Sequence, residues 1–327
     1  MIETNLKWAI LGCGEIANEM ASVLMLRGIH FYGVCNRTQK KAVDFAKKYQ
    51  IEKVYETTDA LFADKDVDVI YIATPHNTHY QYMKKALLSG KHIFVEKAIT
   101  LNSAQLDEMI KLADENGLMI GEAMTIWHMP LIERIASNLV QEKLGKVNLI
   151  TLNFGSFKEY NLMNRFFNLE LGGGALLDIG VYAISFARAF MDSAPNEVKS
   201  FCKKSETGSD EMSTIILQNE SGQMATIALS IHSKQPKRAV LSCENGYVEI
   251  MDYPRAEKAT IVDAVTGEKE EISMGHTADA LSYEIIHMEE AIMTGNKSLL
   301  KIDKTKDVMD IMTRLRKEWN LVYPEEK

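Results

Sequence analysis

Residues 6–17 read Leu-Lys-Trp-Ala-Ile-Leu-Gly-Cys-Gly-Glu-Ile-Ala, and this stretch decides the fold. Leu6 to Leu11 is an apolar, β-prone run, and an apolar helical pattern continues from Ile16 to Leu26. The turn between them, Gly12-Cys13-Gly14-Glu15-Ile16-Ala17, has the G-x-G-x-x-A spacing of a dinucleotide-binding loop. Gly12 permits the tight turn. Gly14 has no Cβ, so the backbone can approach a pyrophosphate. Ala17 is small enough for close helix–strand packing. The helix start at Glu15 and Ile16 then offers unpaired N–H groups to phosphate oxygens. Glycines also mark ordinary strand–helix turns; here the strand before and the helix after favour the nucleotide reading.

Working outward, strands are expected at Phe31–Cys35, Val67–Ile72, His92–Val95 and Leu118–Gly121. Helices are expected at 40–49, 80–88 and 103–115, the last stopped by Asn116-Gly117. The segment Thr74-Pro75-His76-Asn77-Thr78-His79 reads as a loop. This alternation predicts an α/β first domain, a doubly wound parallel sheet of the Rossmann type, over residues 1–122.

Residues 123–327 read differently. A helix is expected at 133–143 and a β-rich run at 147–157. A glycine cluster, Gly172-Gly173-Gly174, leads into an apolar helix over 175–191. Strands follow at 197–206, 212–219, 223–232, 237–243, 246–252 and 258–264, and helices at 278–294 and 303–320. Strands without intervening helices predict an α+β second domain with a mostly antiparallel, open sheet. The acidic run at 268–271 reads as a solvated turn.

Composition narrows the function classes. The chain has 327 residues, 37 Lys and Arg and 45 Asp and Glu, for a net charge of −8. That balance argues against a broad nucleic-acid surface, which needs clustered cations. Cys13, Cys35, Cys202 and Cys243 form no C-x-x-C pair, so neither a metal site nor a disulfide framework is suggested. The 18 methionines need no explanation beyond core filling. Apolar runs fall short of a membrane span and the N-terminus lacks a leader pattern, so a cytoplasmic protein without membrane contact is expected.

The end of the second strand, Val34-Cys35-Asn36-Arg37-Thr38, carries no acid to bind the ribose 2′-hydroxyl of NAD. Asn36 suits a hydroxyl, whereas Arg37 and Thr38 suit a 2′-phosphate. The expectation is NADP in preference to NAD.

Three further motifs complete the reading: Ala73–Tyr80 (ATPHNTHY), His92–Thr100 (HIFVEKAIT) and Gly172–Tyr182 (GGGALLDIGVY). With GCGEIA, they make the chain resemble the glucose–fructose oxidoreductase / inositol dehydrogenase (Gfo/Idh/MocA) family, especially its dihydrodiol and sugar dehydrogenase branch, over essentially its whole length. The family usually has Pro after the lysine; Ala98 stands here and does not impose the same turn. The resemblance implies that Lys97 lies near the nicotinamide and the substrate oxygen, that Asp178 orients substrate hydroxyls, and that Tyr182 donates and accepts the proton. Tyrosine ordinarily ionises near pH ~10, so this role needs a cation such as Lys97. The resemblance also implies cofactor contacts from Thr74, Pro75, His76, His79 and Glu96, and substrate contacts from Trp127, His128 and Arg165, the last free to pair with an acid such as Glu170. Family members commonly pair through the open sheet, so a homodimer or higher homo-oligomer is expected.

The leading expectation is therefore a dehydrogenase that moves hydride between nicotinamide and a carbinol carbon of a sugar, polyol or cyclic diol. Two alternatives belong to other classes: an NAD-retaining glycoside hydrolase, and a nucleotide-binding regulator without chemistry.

Overall fold

The computed structural model describes residues 5–327. The chain divides into two compact units, Met1–Ala123 with Leu281–Ile302, and Met124–Ala280 with Asp303–Lys327.

The first unit is built on six parallel strands: β1 (Trp8–Leu11), β2 (Gly33–Cys35), β3 (Lys53–Tyr55), β4 (Val69–Ile72), β5 (His92–Glu96) and β6 (Ile120–Ala123). Their order is β3-β2-β1-β4-β5-β6. Strands β1 and β4 are apolar at every position and wholly buried, as a sheet covered on both faces requires. Helices α1 (Glu15–Leu26), α2 (Gln39–Tyr49), α3 (Thr58–Ala63), α4 (His76–Leu88) and α5 (Ser103–Glu115) make the connections. Strand order reverses between β1 and β4, and ligands of such sheets bind beyond the carboxyl ends at that point. Those ends carry Gly12 and Thr74.

Two local expectations change. The segment 74–79 is not all loop, because Pro75 serves as N-cap and α4 starts at His76. Strand β3 and helix α3, three and six residues long, are too short to show a period in sequence.

The second unit holds β7 (Val147–Gly155), β8 (Glu197–Lys204), β9 (Asp210–Gln218), β10 (Met224–Ser230), β11 (Gln235–Cys243), β12 (Gly246–Met251), β13 (Lys258–Asp263) and β14 (Lys269–Ser273). They form one sheet ordered β14-β13-β12-β11-β7-β10-β9-β8. Neighbours are antiparallel except β7 and β10, which run parallel. The acidic run expected as a turn enters β14, an exposed edge strand whose charges discourage further pairing. On β10, Ala225, Ile227 and Leu229 are buried while Met224 is exposed, the alternation of a sheet with one covered face. The covering helix, Val181–Phe190, packs on β7 and β10 and is preceded by a π-helical turn, Leu176–Gly180. Contrary to the expectation that no stretch is long enough, the helical run Leu169–Phe190 meets the length and hydropathy of a membrane span. Its most apolar window is 72% buried within the protein, the position of a core helix.

The expected single crossing near residue 122 is also corrected. The chain returns to the first unit over Leu281–Ile302. Leu281, Ile285, Met288 and Ala291 lie on one side of the Ala280–Thr294 helix and join the core of Trp8, Ile10 and Phe94. Trp8 Nε1 donates to Glu289 Oε1 at 2.9 Å, which fixes the helix's register on the sheet.

Candidate active site

The glycine loop sits where β1 ends. Gly12 has φ +109°, and a Cβ there would lie 2.4 Å from the Ala73 carbonyl oxygen, so both conformation and space demand glycine. Gly12 N donates to Cys35 O at 2.8 Å, tying the loop across the ends of β1 and β2. Gly14 is the N-cap of α1 and offers no side-chain cap to the helix amides, and a Cβ on it would meet nothing within 4 Å. Glu15 and Ile16 open the helix there. Burial pushes the Cys13 thiol up to about 12, with Cys35 adding to the shift, so the loop holds no thiolate. An uncapped helix start beside a neutral thiol and an open Cα fits an anionic group such as a pyrophosphate.

At the end of β2, Asn36 Nδ2 donates to Thr38 O at 3.0 Å, and Thr38 is the N-cap of α2 without a side-chain bond to it. Arg37 and Thr38 are exposed on this turn. The arrangement leaves a cation and a second uncapped helix start close together, a donor set that suits phosphate.

Lys97 follows β5 and is half-buried. Its loop is held at three successive residues by side chains of α4 and β6. His76 Nε2 lies 3.0 Å from Lys97 O. His79 Nδ1 lies 3.1 Å from Ala98 O and its Nε2 2.8 Å from Thr74 O. Glu122 Oε1 accepts from Ile99 N at 3.1 Å. His79 is fully buried; burial lowers its pKa, against the opposing effect of the Thr74 and Ala98 carbonyls that its two ring nitrogens face. Thr78 Oγ1 donates to Pro75 O at 2.7 Å, which sets the first turn of α4. The Lys97–Ala98 peptide is cis. Glu96 is buried and accepts a hydrogen bond from Tyr71 Oη of β4. Sequence reading passed over Glu122 as an anchor because its partner is 23 residues away and is a backbone amide.

In the second unit, Asp178 lies in the π turn and Tyr182 in the helix after it. From Gly172 to Ala187, they are the two residues that are not buried. Tyr182 packs near Phe154 of β7, ring centroids 6.1 Å apart. Lys237 Nζ of β11 stands 5.3 Å from the same Phe154 ring, a cation the sequence did not single out. Arg165 pairs with Asp178 at 3.7 Å, not with Glu170, and its guanidinium lies 4.3 Å from the Phe166 ring. The chain folds back over residues 164–174 to make this pair: Gly174 N donates to Phe166 O at 3.0 Å. Trp127 and His128 are 3% and 1% exposed, so both are core residues of this unit.

Comparison with known proteins decides the family. Residues 6–124 match the NAD-binding Rossmann-fold model of the GFO/IDH/MocA oxidoreductases, and residues 132–249 match the C-terminal domain of the same family. The chain belongs to the GFO/IDH/MocA oxidoreductase family. Among its relatives is the trans-1,2-dihydrobenzene-1,2-diol dehydrogenase of Xenopus tropicalis, 29% identical over 97% of this chain and 99% of that protein. The human protein of the same name is 28% identical over 98% and 99%. The fold is shared with KijD10, a 3-ketoreductase from Actinomadura kijaniata solved with NADP and TDP-benzene. That chain has a TM-score of 0.86 and 20% identity, over 96% of this chain and 98% of the other. It is shared equally with an aldose-aldose oxidoreductase from Caulobacter crescentus, TM-score 0.86 and 22% identity, over 97% and 98%. This GFO/IDH/MocA oxidoreductase thus keeps the family's dinucleotide-binding domain and C-terminal domain in the family's order.

Proposed function

We propose that this oxidoreductase catalyses reversible hydride transfer between NADP and a carbinol carbon of a cyclic diol or sugar. The observation that carries the reading is that Asp178 and Tyr182 alone are partly accessible on a buried apolar segment. Carboxylate and phenol groups kept accessible there are suited to holding a substrate hydroxyl and its proton. Bound nicotinamide supplies the hydride acceptor or donor. Tyr182 moves the hydroxyl proton, Asp178 orients neighbouring hydroxyls, and the Lys97 ammonium favours the developing alkoxide. Arg165, 3.7 Å away, helps to hold the Asp178 carboxylate in place. Arg37 and Thr38 favour the 2′-phosphate of NADP, and Asn36 suits a ribose hydroxyl.

The substrate class follows the curated relatives, so the test uses trans-1,2-dihydrobenzene-1,2-diol and a panel of aldoses with free NADP+. NADPH formation at 340 nm should appear with at least one of them. Tyr182→Phe should lower kcat on the order of 10²-fold or more with cofactor affinity unchanged. Wild-type kcat in that variant would remove Tyr182 from the chemistry.

The reading includes a homodimer through the outer face of the second unit's sheet. Phe201, Met212, Ile216 and Met224 stand on that face of β8, β9 and β10, with Phe201 86% exposed. Apolar surface of this kind is the usual mark of a contact. Sedimentation of the wild type as a dimer and of Phe201→Glu as a monomer supports it; a monomeric wild type contradicts it.

A further inference from the structure

The β8–β9 turn, residues 205–209, and Asp210 at the start of β9 reach the segment that carries Arg165, Asp178 and Tyr182 at several points, all within the second unit. Thr207 Oγ1 donates to Phe167 O, and Ser209 Oγ does so at 3.0 Å. Asp210 Oδ2 accepts from Leu176 N at 2.6 Å, at the start of the π turn that contains Asp178. A Cβ on Gly174 would lie 2.1 Å from Asp210 Oδ1, and Gly174 has φ +134°. From the other side, Tyr323 Oη donates to Gly173 O at 3.0 Å. Asp210 and Tyr323 are both fully buried.

A carboxylate is costly to bury and does so here without an ion pair among the described residues. What it gains at the π turn includes a short bond from the turn's first amide. Helix starts usually take such a bond from an N-cap a few residues upstream. Here the acceptor is 34 residues downstream, so the register of the turn depends on where β9 begins.

We propose that Asp210 is a positioning residue for the proposed reaction: it fixes the glycine loop and the first turn of the helix, and so sets where Asp178 and Tyr182 present their side chains. Tyr323 is a second latch on the same loop. Neither residue touches substrate. The inference rests on the reading of Tyr182 given above.

The test compares wild type, Asp210→Ala, Asp210→Asn, Tyr323→Phe and Tyr182→Phe as full-length proteins. The assay is oxidation of trans-1,2-dihydrobenzene-1,2-diol with NADP+, alongside NADPH titration and amide hydrogen exchange. Asp210→Ala should lose kcat on the order of 10²-fold, the effect of a displaced catalytic group, with NADPH affinity within twofold of wild type. Asp210→Asn keeps an acceptor for Leu176 N and should restore most of that kcat. Exchange should quicken over residues 175–183 in Asp210→Ala, while the β9 and β10 amides keep their protection; this readout needs no substrate. If Asp210→Ala does not fold, Tyr323→Phe decides: a several-fold fall in kcat at unchanged NADPH affinity supports the inference, and wild-type kcat overturns it. A folded Asp210→Ala with wild-type kcat or exchange overturns it, as does an Asp210→Asn as impaired as the alanine variant. Tyr182→Phe separates the two layers. Wild-type turnover in it defeats the underlying reading, whereas lost turnover in Tyr182→Phe with normal Asp210→Ala defeats the positioning role alone.

Discussion

Two glycine loops each start a helix in this protein, and they are built in opposite ways. Gly12-Cys13-Gly14 leaves α1 without a side-chain cap, and a Cβ on Gly14 would point into open space. Gly172-Gly173-Gly174 is buried: a Cβ on Gly173 would meet backbone oxygens at 2.7 Å, and one on Gly174 the Asp210 carboxylate at 2.1 Å. The second helix start takes its acceptor from within the protein, at Asp210. The first has no side-chain cap among the described residues and suits an external anion. Similar sequence thus serves ligand binding in one unit and internal alignment in the other. What differs is whether the fold supplies the negative group.

The contrast predicts opposite responses to the same substitution. Gly174→Ala places a methyl on a buried carboxylate in a backbone conformation unfavourable to alanine. It should destabilise the second unit by about 3 kcal/mol or more, a fall in Tm on the order of 10 °C by calorimetry. A Tm within a degree or two of wild type would show that the closed loop is not closed. A smaller effect is expected at Arg37. Arg37→Ala should weaken NADPH roughly tenfold, the loss of a charge-assisted phosphate contact, and leave NADH unchanged. Equal losses for both cofactors would move Arg37 away from the 2′-phosphate.

The smallest predicted effect concerns pH. Burial raises the Asp210 carboxyl to about 7, although the amides of Leu176, Ala175 and Asp210 itself and the charge of Arg316 favour ionisation. Tyr323 and Cys202 are the other titratable groups that feel it, and both stay protonated, because burial raises each. Between the unfolded value near ~4 and the folded one, the native state binds the extra proton, so this contribution to stability is full below pH ~4 and is lost as pH rises through about 7. Asp210→Asn should flatten the fall in Tm over that window by a few degrees. An unchanged pH slope would mean that Asp210 is ionised throughout.

Legibility in the sequence followed the same division. The open loop was readable because its glycine spacing, its strand and its helix are contiguous. The parallel sheet was readable because β1 and β4 are continuous apolar runs and β5 is apolar over 93–95. Asp178 and Tyr182 stood out as polar exceptions on an apolar helix, and the structure leaves them partly buried amid buried neighbours. The supports did not stand out. Glu122 on Ile99, Asp210 on Leu176 and Tyr323 on Gly173 join residues 23, 34 and 150 positions apart, and each ends on a backbone atom that leaves no trace in residue type. The return of Leu281–Ile302 to the first unit was hidden for a related reason: an apolar helix face does not say which sheet it will cover. Trp127 and His128 are both buried, which residue type alone did not disclose.

The most direct test of the account is a titration of NADPH, followed by nicotinamide fluorescence, into wild type, Gly14→Ala and Gly174→Ala, with Tm measured on each. The account predicts saturable binding to the wild type. Gly14→Ala should bind at least roughly tenfold more weakly at unchanged Tm, because its methyl enters the space a pyrophosphate needs. Gly174→Ala should lose Tm and keep its NADPH affinity. Wild-type affinity in Gly14→Ala would contradict the account, as would a wild type that neither binds NADPH nor releases a nucleotide on denaturation.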